Sequence, residues 1–283
     1  MLTLSKVFSL QKLAASQHLD VLALTETHLT EHNLDLVNEV TSKWRLIIIP
    51  SPLRRHSQQE KGGIALILKE HIYATPRDNN INDETEQIYS WTLSSDTCNE
   101  NTCVTITYIS PVVTSDTLQK IHNHIQNSRR MTGANIILGD FNSYLGNMKY
   151  EPHLNVAEQG IWGPISGDPS PSHTPSRVSS NQNANTREKW FKNLLTSSEL
   201  VVLNGREHNI APYKTFPYTH FQKLQENSTT LTSETIIDYA LTNKGCIKYI
   251  HLCRVIANSH VLISPRLPHR VKNNTFYYDR KQK

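Results

Sequence analysis

Short apolar runs with turn residues between them dominate the chain. The early ones are Val21-Leu22-Ala23-Leu24, Trp44 to Ile49 and Gly63 to Leu68. The middle ones are Gln87 to Leu93, Val104 to Tyr108 and Asn135 to Leu138. Leu200 to Leu203, Ile236 to Leu241, Tyr249 to Ile256 and Val261 to Ile263 complete the set. Runs this short and this rich in β-branched residues predict strands rather than helices. Three segments carry helical spacing instead. Val7, Leu10 and Ala14 keep one face behind a cap at Ser5, and Leu118, Ile121 and Ile125 do so behind Thr114 and Ser115. Asn185 to Glu188 resembles a capping box before Trp190, Phe191, Leu194 and Leu195. Many strands and few helices predict sheet packed on sheet with helices outside. The stretch Glu151 to Asn185, rich in Pro, Gly, Ser, His and Asn, is too long for a plain connection and predicts a functional surface loop or a partly disordered one.

Composition narrows the picture a little. The 283 residues suffice for one large domain. The reading is one domain over 1–267 and a basic tail over 268–283, where five Lys/Arg stand against one Asp. No apolar run approaches the roughly 20 residues of a membrane span, and the N-terminus lacks a secretory pattern. The four cysteines, Cys98, Cys103, Cys246 and Cys253, have no His/Cys partners at finger spacing and read as reduced thiols of a nuclear or cytoplasmic protein. A net charge of +4 favours an anionic partner only weakly, because most of it is scattered.

The chemistry concentrates in Ile136-Ile137-Leu138-Gly139-Asp140-Phe141-Asn142. An apolar strand ends in a glycine turn, then offers a carboxylate and a carboxamide two residues apart, where extended chain points them the same way. A carboxylate can hold a divalent cation or take a proton from water; a carboxamide can donate to a phosphate oxygen. An ordinary turn also uses Gly, Asp and Asn. Glu26 follows the first strand, and Tyr108 ends another in Tyr108-Ile109-Ser110-Pro111. A solvated loop glutamate and a half-buried tyrosine are the plain alternatives. Asp238 sits inside an apolar strand, where a carboxylate needs a partner. His260 stands at a turn between two apolar strands and is a plausible one.

Taken in order, these pieces resemble the endonuclease/exonuclease/phosphatase family, the deoxyribonuclease-I-like fold. Within it the chain looks most like the endonuclease module of non-LTR retrotransposons. The resemblance implies a four-layer α/β sandwich of two mixed sheets with outer helices. It also implies a divalent-metal phosphodiesterase using Mg²⁺, or Mn²⁺. Glu26 would hold the metal, Asp140 would activate water, and Asn142 and Tyr108 would contact the phosphate. His260 would stabilise phosphate charge with its tautomer fixed by Asp238. Thr219 matches a hydroxyl position near the phosphate. DNA is the implied partner, with a separately encoded reverse transcriptase a further one, and a monomer without membrane contact is expected.

Two departures stand out. The family's first strand, with an asparagine that helps hold the metal, is absent here: the chain opens almost directly at the first helix. An exposed central sheet edge is expected in consequence. Where the family has an aspartate before the final histidine, this chain has Ser259. The main reading is therefore a DNA-nicking endonuclease. The alternatives are a decayed module that binds nucleic acid without cutting, and a phosphatase for small phosphodiesters.

Overall fold

The computed structural model describes residues 2–16, 19–31, 43–52, 62–78, 80–96, 98–130, 134–143, 187–203, 220–221, 234–235, 238–243, 250–256, 260–265 and 276–280. The elements run α1 (Leu4–Ser16), β1 (Val21–Thr25), β2 (Trp44–Ile49), β3 (Ile64–Lys69), β4 (Ile72–Pro76), β5 (Ile81–Asn82), β6 (Glu86–Ser95) and β7 (Cys98–Ile109). They continue with α2 (Ser115–Arg130), β8 (Ala134–Asp140), α3 (Glu188–Ser197), β9 (Leu200–Val202), β10 (His220–Phe221) and β11 (Glu234–Thr235). Last come β12 (Asp238–Asn243), β13 (Ile250–Ile256), β14 (His260–Pro265) and β15 (Phe276–Arg280).

Two mixed sheets form the body. The first has strand order β13-β14-β15-β1-β3-β2; the second runs β4-β6-β7-β8-β12-β9, with β5 also on β6. Alternation along each strand decides the layers. Val21 and Ala23 of β1 and Ile64, Leu66 and Leu68 of β3 pack against Trp91, Val104, Ile106, Ile136 and Leu138 of the second sheet. The intervening Leu22, Leu24, Ala65 and Ile67 face Val7 and Ala14 of α1. Ile137 and Leu241 face Ile121 and Ile125 of α2 and Phe191, Leu194 and Leu195 of α3. Side chains of period two thus give each sheet one face toward the other sheet and one toward helices. The expected four layers are present: α1, sheet, sheet, then α2 with α3.

The helix starts differ in detail from the sequence reading. Thr3, not Ser5, caps α1, its Oγ1 accepting the Lys6 N–H at 3.4 Å. Thr114 caps α2 as expected, with the Thr117 N–H at 3.2 Å. The capping box before α3 does not form as drawn: Arg187 is the N-cap residue and makes no side-chain cap bond. Its guanidinium reaches the carbonyls of Phe141 and Pro111 instead. The stretch Glu151 to Asn185 lies outside the described residues.

No strand precedes α1 among the described residues. The edge of β1 away from β3 is nevertheless not open. β15 pairs along it in parallel from Val21↔Phe276 to Thr25↔Arg280, and pairs antiparallel with β14 on its far side. Five residues of the segment read as a basic tail therefore form a central strand. Their aromatic run Phe276-Tyr277-Tyr278 suits that place.

Phe141 is the peg that seats the loop after β8. Its ring is fully buried, stacked on Phe191 at 4.8 Å and edge-on to Tyr239 at 6.0 Å. Phe141→Ala is expected to cost about 3–5 kcal/mol, read as a lower urea midpoint.

Candidate active site

One rung of the second sheet gathers three of the eight predicted residues, Tyr108, Asp140 and Asp238. Gln87 on β6 is in register with Tyr108 on β7, Tyr108 with Asp140 on β8, and Asp140 with Asp238 on β12. Asp140 and Tyr108 lie two residues beyond Leu138 and Ile106, which face the first sheet. The rung therefore continues the inter-sheet face to its polar end. Asp140 is fully buried and Tyr108 is 3% exposed.

Backbone geometry sets the Asp140 turn. Gly139 has φ +155, and a Cβ there would run into the carbonyl of Thr107, its partner on β7. Only glycine lets β7 and β8 approach so closely just before the acid. Asn142 is held in the left-handed region at φ 44, a conformation that costs about 1 kcal/mol or more. Two bonds hold it there. Its backbone N–H donates to Asp140 Oδ1 at 2.8 Å, and its Nδ2 donates to the Ile109 carbonyl at 2.7 Å. The carboxamide has two N–H hydrogens, and the Ile109 bond uses one of them.

Glu26 comes from the other sheet. It follows Thr25, the last residue of β1, is 8% exposed, and is itself left-handed at φ 52. The next two N–H groups are pinned: Thr27 donates to the Gly63 carbonyl at 3.1 Å and His28 to that of Gly62 at 2.9 Å. The Gly-Gly pair has φ of 91 and 86, and a Cβ on Gly63 would strike Thr27 Oγ1. A tight turn of the β3 entry against the β1 exit thus fixes where Glu26 leaves the sheet.

Gln87 joins the two halves, and sequence reasoning did not single it out. It is 1% exposed. Its Oε1 accepts the Gly63 N–H at 2.5 Å, while its Nε2 donates to the Pro50 carbonyl at 3.1 Å and to Asn82 Oδ1 at 2.7 Å. It therefore ties the Asp140 rung to the loop carrying Glu26. An amide at a strand start carries no sequence signal of such a role, because its partners are 24 and 37 residues away.

The remaining predicted residues are partly placed. Asp238 opens β12, and His260 opens β14 in the first sheet. The expected turn position of His260 becomes the first strand residue, in register with Ile256 and Asp279. Thr219 and Ser259 lie outside the described residues. Among the described residues no group of three or more His, Cys, Asp or Glu stands close enough to hold a metal ion. The donors at hand, Glu26 and Asp140, are hard carboxylate oxygens. That chemistry fits Mg²⁺, which takes one or two carboxylates and keeps several waters. A cavity of about 700 Å³ lies elsewhere, lined by Arg77, Lys120 and His124. Beside it His124 Nε2 meets Ser90 Oγ at 3.0 Å and Thr105 Oγ1 meets the same hydroxyl at 2.8 Å, which satisfies buried polar groups under α2.

Next to Gln87, burial raises the Glu86 carboxyl above its ordinary value, with Asp83 adding to the rise; hydrogen bonding to Thr85 and the charge of Lys120 oppose it. The native state then holds the proton to higher pH than the unfolded chain. This contribution is fully present below the ordinary carboxylate value and is lost as pH rises to the raised one. Glu86→Gln should flatten that part of a urea-midpoint profile. Gln87→Leu should leave the Gly63 N–H and Pro50 carbonyl unpaired, costing about 1–3 kcal/mol, with faster amide exchange at Gly63.

The comparisons agree with this architecture. A profile described as "Endonuclease/Exonuclease/phosphatase family" matches residues 7–255. Among solved structures, the AP endonuclease LMAP from Leishmania major aligns at TM-score 0.55 and 14% identity, over 89% of this chain and 78% of that one. The 3'-5' exonuclease NExo from Neisseria meningitidis aligns at 0.53 and 16% identity, over 89% and 88%. The catalytic domain of Xenopus laevis APE2 aligns at 0.53 and 13%, over 96% and 89%. At these identities the structures speak for the fold alone. No curated protein matches in sequence. With the profile spanning most of its length, the chain belongs to the endonuclease/exonuclease/phosphatase family.

Proposed function

We propose that this protein is a phosphodiester-recognising module that binds duplex DNA, with hydrolysis weakened by an incomplete acid set. One observation carries the reading. Among the described residues no three metal-ligating side chains stand together; the described acids that the resemblance assigns to the site are Glu26, Asp140 and, opposite Asp140 on β12, Asp238. At Ser259, where the family resemblance expects an aspartate, one negative charge is lost. A hydroxyl there can donate a hydrogen bond but supplies no negative charge. The nucleic-acid partner is supported by fold relatives such as the AP endonuclease from Leishmania major and by the motif order that resembles retrotransposon endonucleases.

A second reading is an active, Mg²⁺-dependent nicking endonuclease. The intact Asp140–Asn142 unit favours it. Asp140 would take the proton of the attacking water. Asn142 and Thr219 would donate to phosphate oxygens, and Tyr108 would contact the scissile phosphate. His260, oriented by Asp238, would offset the charge that builds on the phosphoryl group. Glu26 would hold the cation, which when bound supplies positive charge beside the leaving oxygen. A phosphatase for small phosphodiesters uses the same residues, and a substrate panel separates it. A separately encoded reverse transcriptase remains the proposed protein partner of the endonuclease reading.

Supercoiled-plasmid nicking and DNA binding, run side by side, test these readings. The binding module predicts an affinity that falls linearly on a log–log plot against salt, with nicking in Mg²⁺ no greater than that of Asp140→Ala. Nicking that requires Mg²⁺, vanishes in EDTA and drops about a hundredfold or more in Asp140→Ala establishes the endonuclease instead. A folded protein with no DNA binding at low salt removes both.

A further inference from the structure

The outer face of the second sheet carries a polar pocket that the candidate active site does not use. Trp91 and Leu93 of β6 and Val104 and Ile106 of β7 face the first sheet. Ser90, Thr92, Cys103 and Thr105 therefore point the other way, beneath α2. On α2, Lys120, Asn123, His124, Asn127 and Ser128 share one helical face. They line a cavity of about 700 Å³ together with Thr92 and Arg77, a volume that suits a small molecule. The Thr92–Cys103 rung lies five residues along the strands from the Gln87–Tyr108 rung, which is about 17 Å. The pocket and the candidate active site thus stand on opposite faces of the sheet and do not overlap.

Arg77 is built into this pocket. Its N–H donates to the Ser90 carbonyl at 2.9 Å, its carbonyl accepts Asn80 Nδ2 at 2.8 Å, and Asn80 Oδ1 accepts the Ser90 N–H at 2.9 Å. The guanidinium is fixed through one nitrogen: Nη1 donates to the Ser128 carbonyl at 3.2 Å and to Cys103 Sγ at 3.4 Å. Ser128 is in the last turn of α2, where carbonyls lack helical partners, and capping it needs Nη1 alone. Nε and Nη2 keep three N–H groups on the other edge of the fork, with no protein acceptor among the described residues. No carboxylate among the described residues forms an ion pair with Arg77, although Asp78 is its neighbour in the lining. A partly buried Nε–Nη2 edge suits two oxygens of a phosphate. Lys120 adds positive charge two helical turns earlier, about 12 Å along the axis. Between these ends lie the amides of Asn123, Asn127 and Asn101, each able to donate and accept. Apolar lining among the described residues is confined to Pro76 and Ile81, a poor match for a lipid tail.

We propose that this pocket binds a phosphate monoester of mononucleotide size, with the phosphate on the Arg77 edge and a hydrogen-bonding body along the asparagines toward Lys120. The proposal is independent of the DNA site.

The test is isothermal titration calorimetry of the full chain in EDTA with adenosine 5′-monophosphate, ribose 5-phosphate, inorganic phosphate and adenosine. One of the two esters should bind about tenfold tighter, or better, than phosphate and adenosine, and the tighter ester tells a nucleotide from a sugar phosphate. Arg77→Gln should weaken that binding about tenfold or more. Asn127→Asp, on the exposed side of α2, sets a carboxylate in the lining without removing a bond of Arg77 and should weaken binding likewise. It carries the test should Arg77→Gln not fold. A folded protein that binds neither ester at millimolar concentration overturns the proposal. So does binding that survives both variants. Binding lost in Asn142→Ala but kept in Arg77→Gln puts the ester in the candidate active site and overturns it as well. None of these readouts depends on DNA, so loss of the functional reading leaves this one standing or falling separately.

Discussion

Every residue of β1 is buried, and most of the structure follows from that. A buried strand has no water for its N–H and C=O groups, so both edges must be paired. β3 takes one edge and β15 the other. The alternating side chains of β1 then need apolar layers on both faces: α1 covers one and the second sheet covers the other. The strand exits at Thr25 into Glu26. The element most constrained by burial is therefore the one that delivers an acid to the site.

The two sheets meet through apolar contacts along most of their faces, and such contacts alone specify position loosely. At the polar end the match is made by directed bonds. Gln87 reaches across to the Gly63 N–H and the Pro50 carbonyl. Gly62 and Gly63 in turn hold the N–H groups just after Glu26. Gln87 shares its rung with Tyr108 and Asp140. A chain of short bonds thus relates Glu26 on one sheet to Asp140 on the other. The left-handed backbone at Glu26 and Asn142 is the local strain such a convergence requires, and it is offset by the packing of Phe141 on α3.

Two features depart from the layout that the family resemblance implies. Position 259 supplies a hydroxyl, and among the described residues no strand precedes α1. A strand, β15, pairs along the edge of β1 that β3 leaves free. Whether chemistry survives depends on charge placement, not on the sandwich.

Much of this was legible in the sequence, because the signals are local. Apolar runs at strand length, with helical spacing in three places, forecast the layers. Gly139, Asp140 and Asn142 announce themselves because a turn glycine, an acid and an amide within four residues carry their own geometry. α2 starts where Thr114 places it, since a cap acts over three residues. What the tertiary structure decided are relations between distant residues. Gln87 gains meaning only from Gly63 and Pro50. Arg187 serves the loops after β7 and β8 rather than a capping box. Phe276 to Arg280 reads as tail by its charge, and becomes a central strand because its backbone pairs with β1 on one side and β14 on the other. Burial periodicity is written in the chain; which edge needs a partner, and which segment supplies it, is settled only when the sheet assembles.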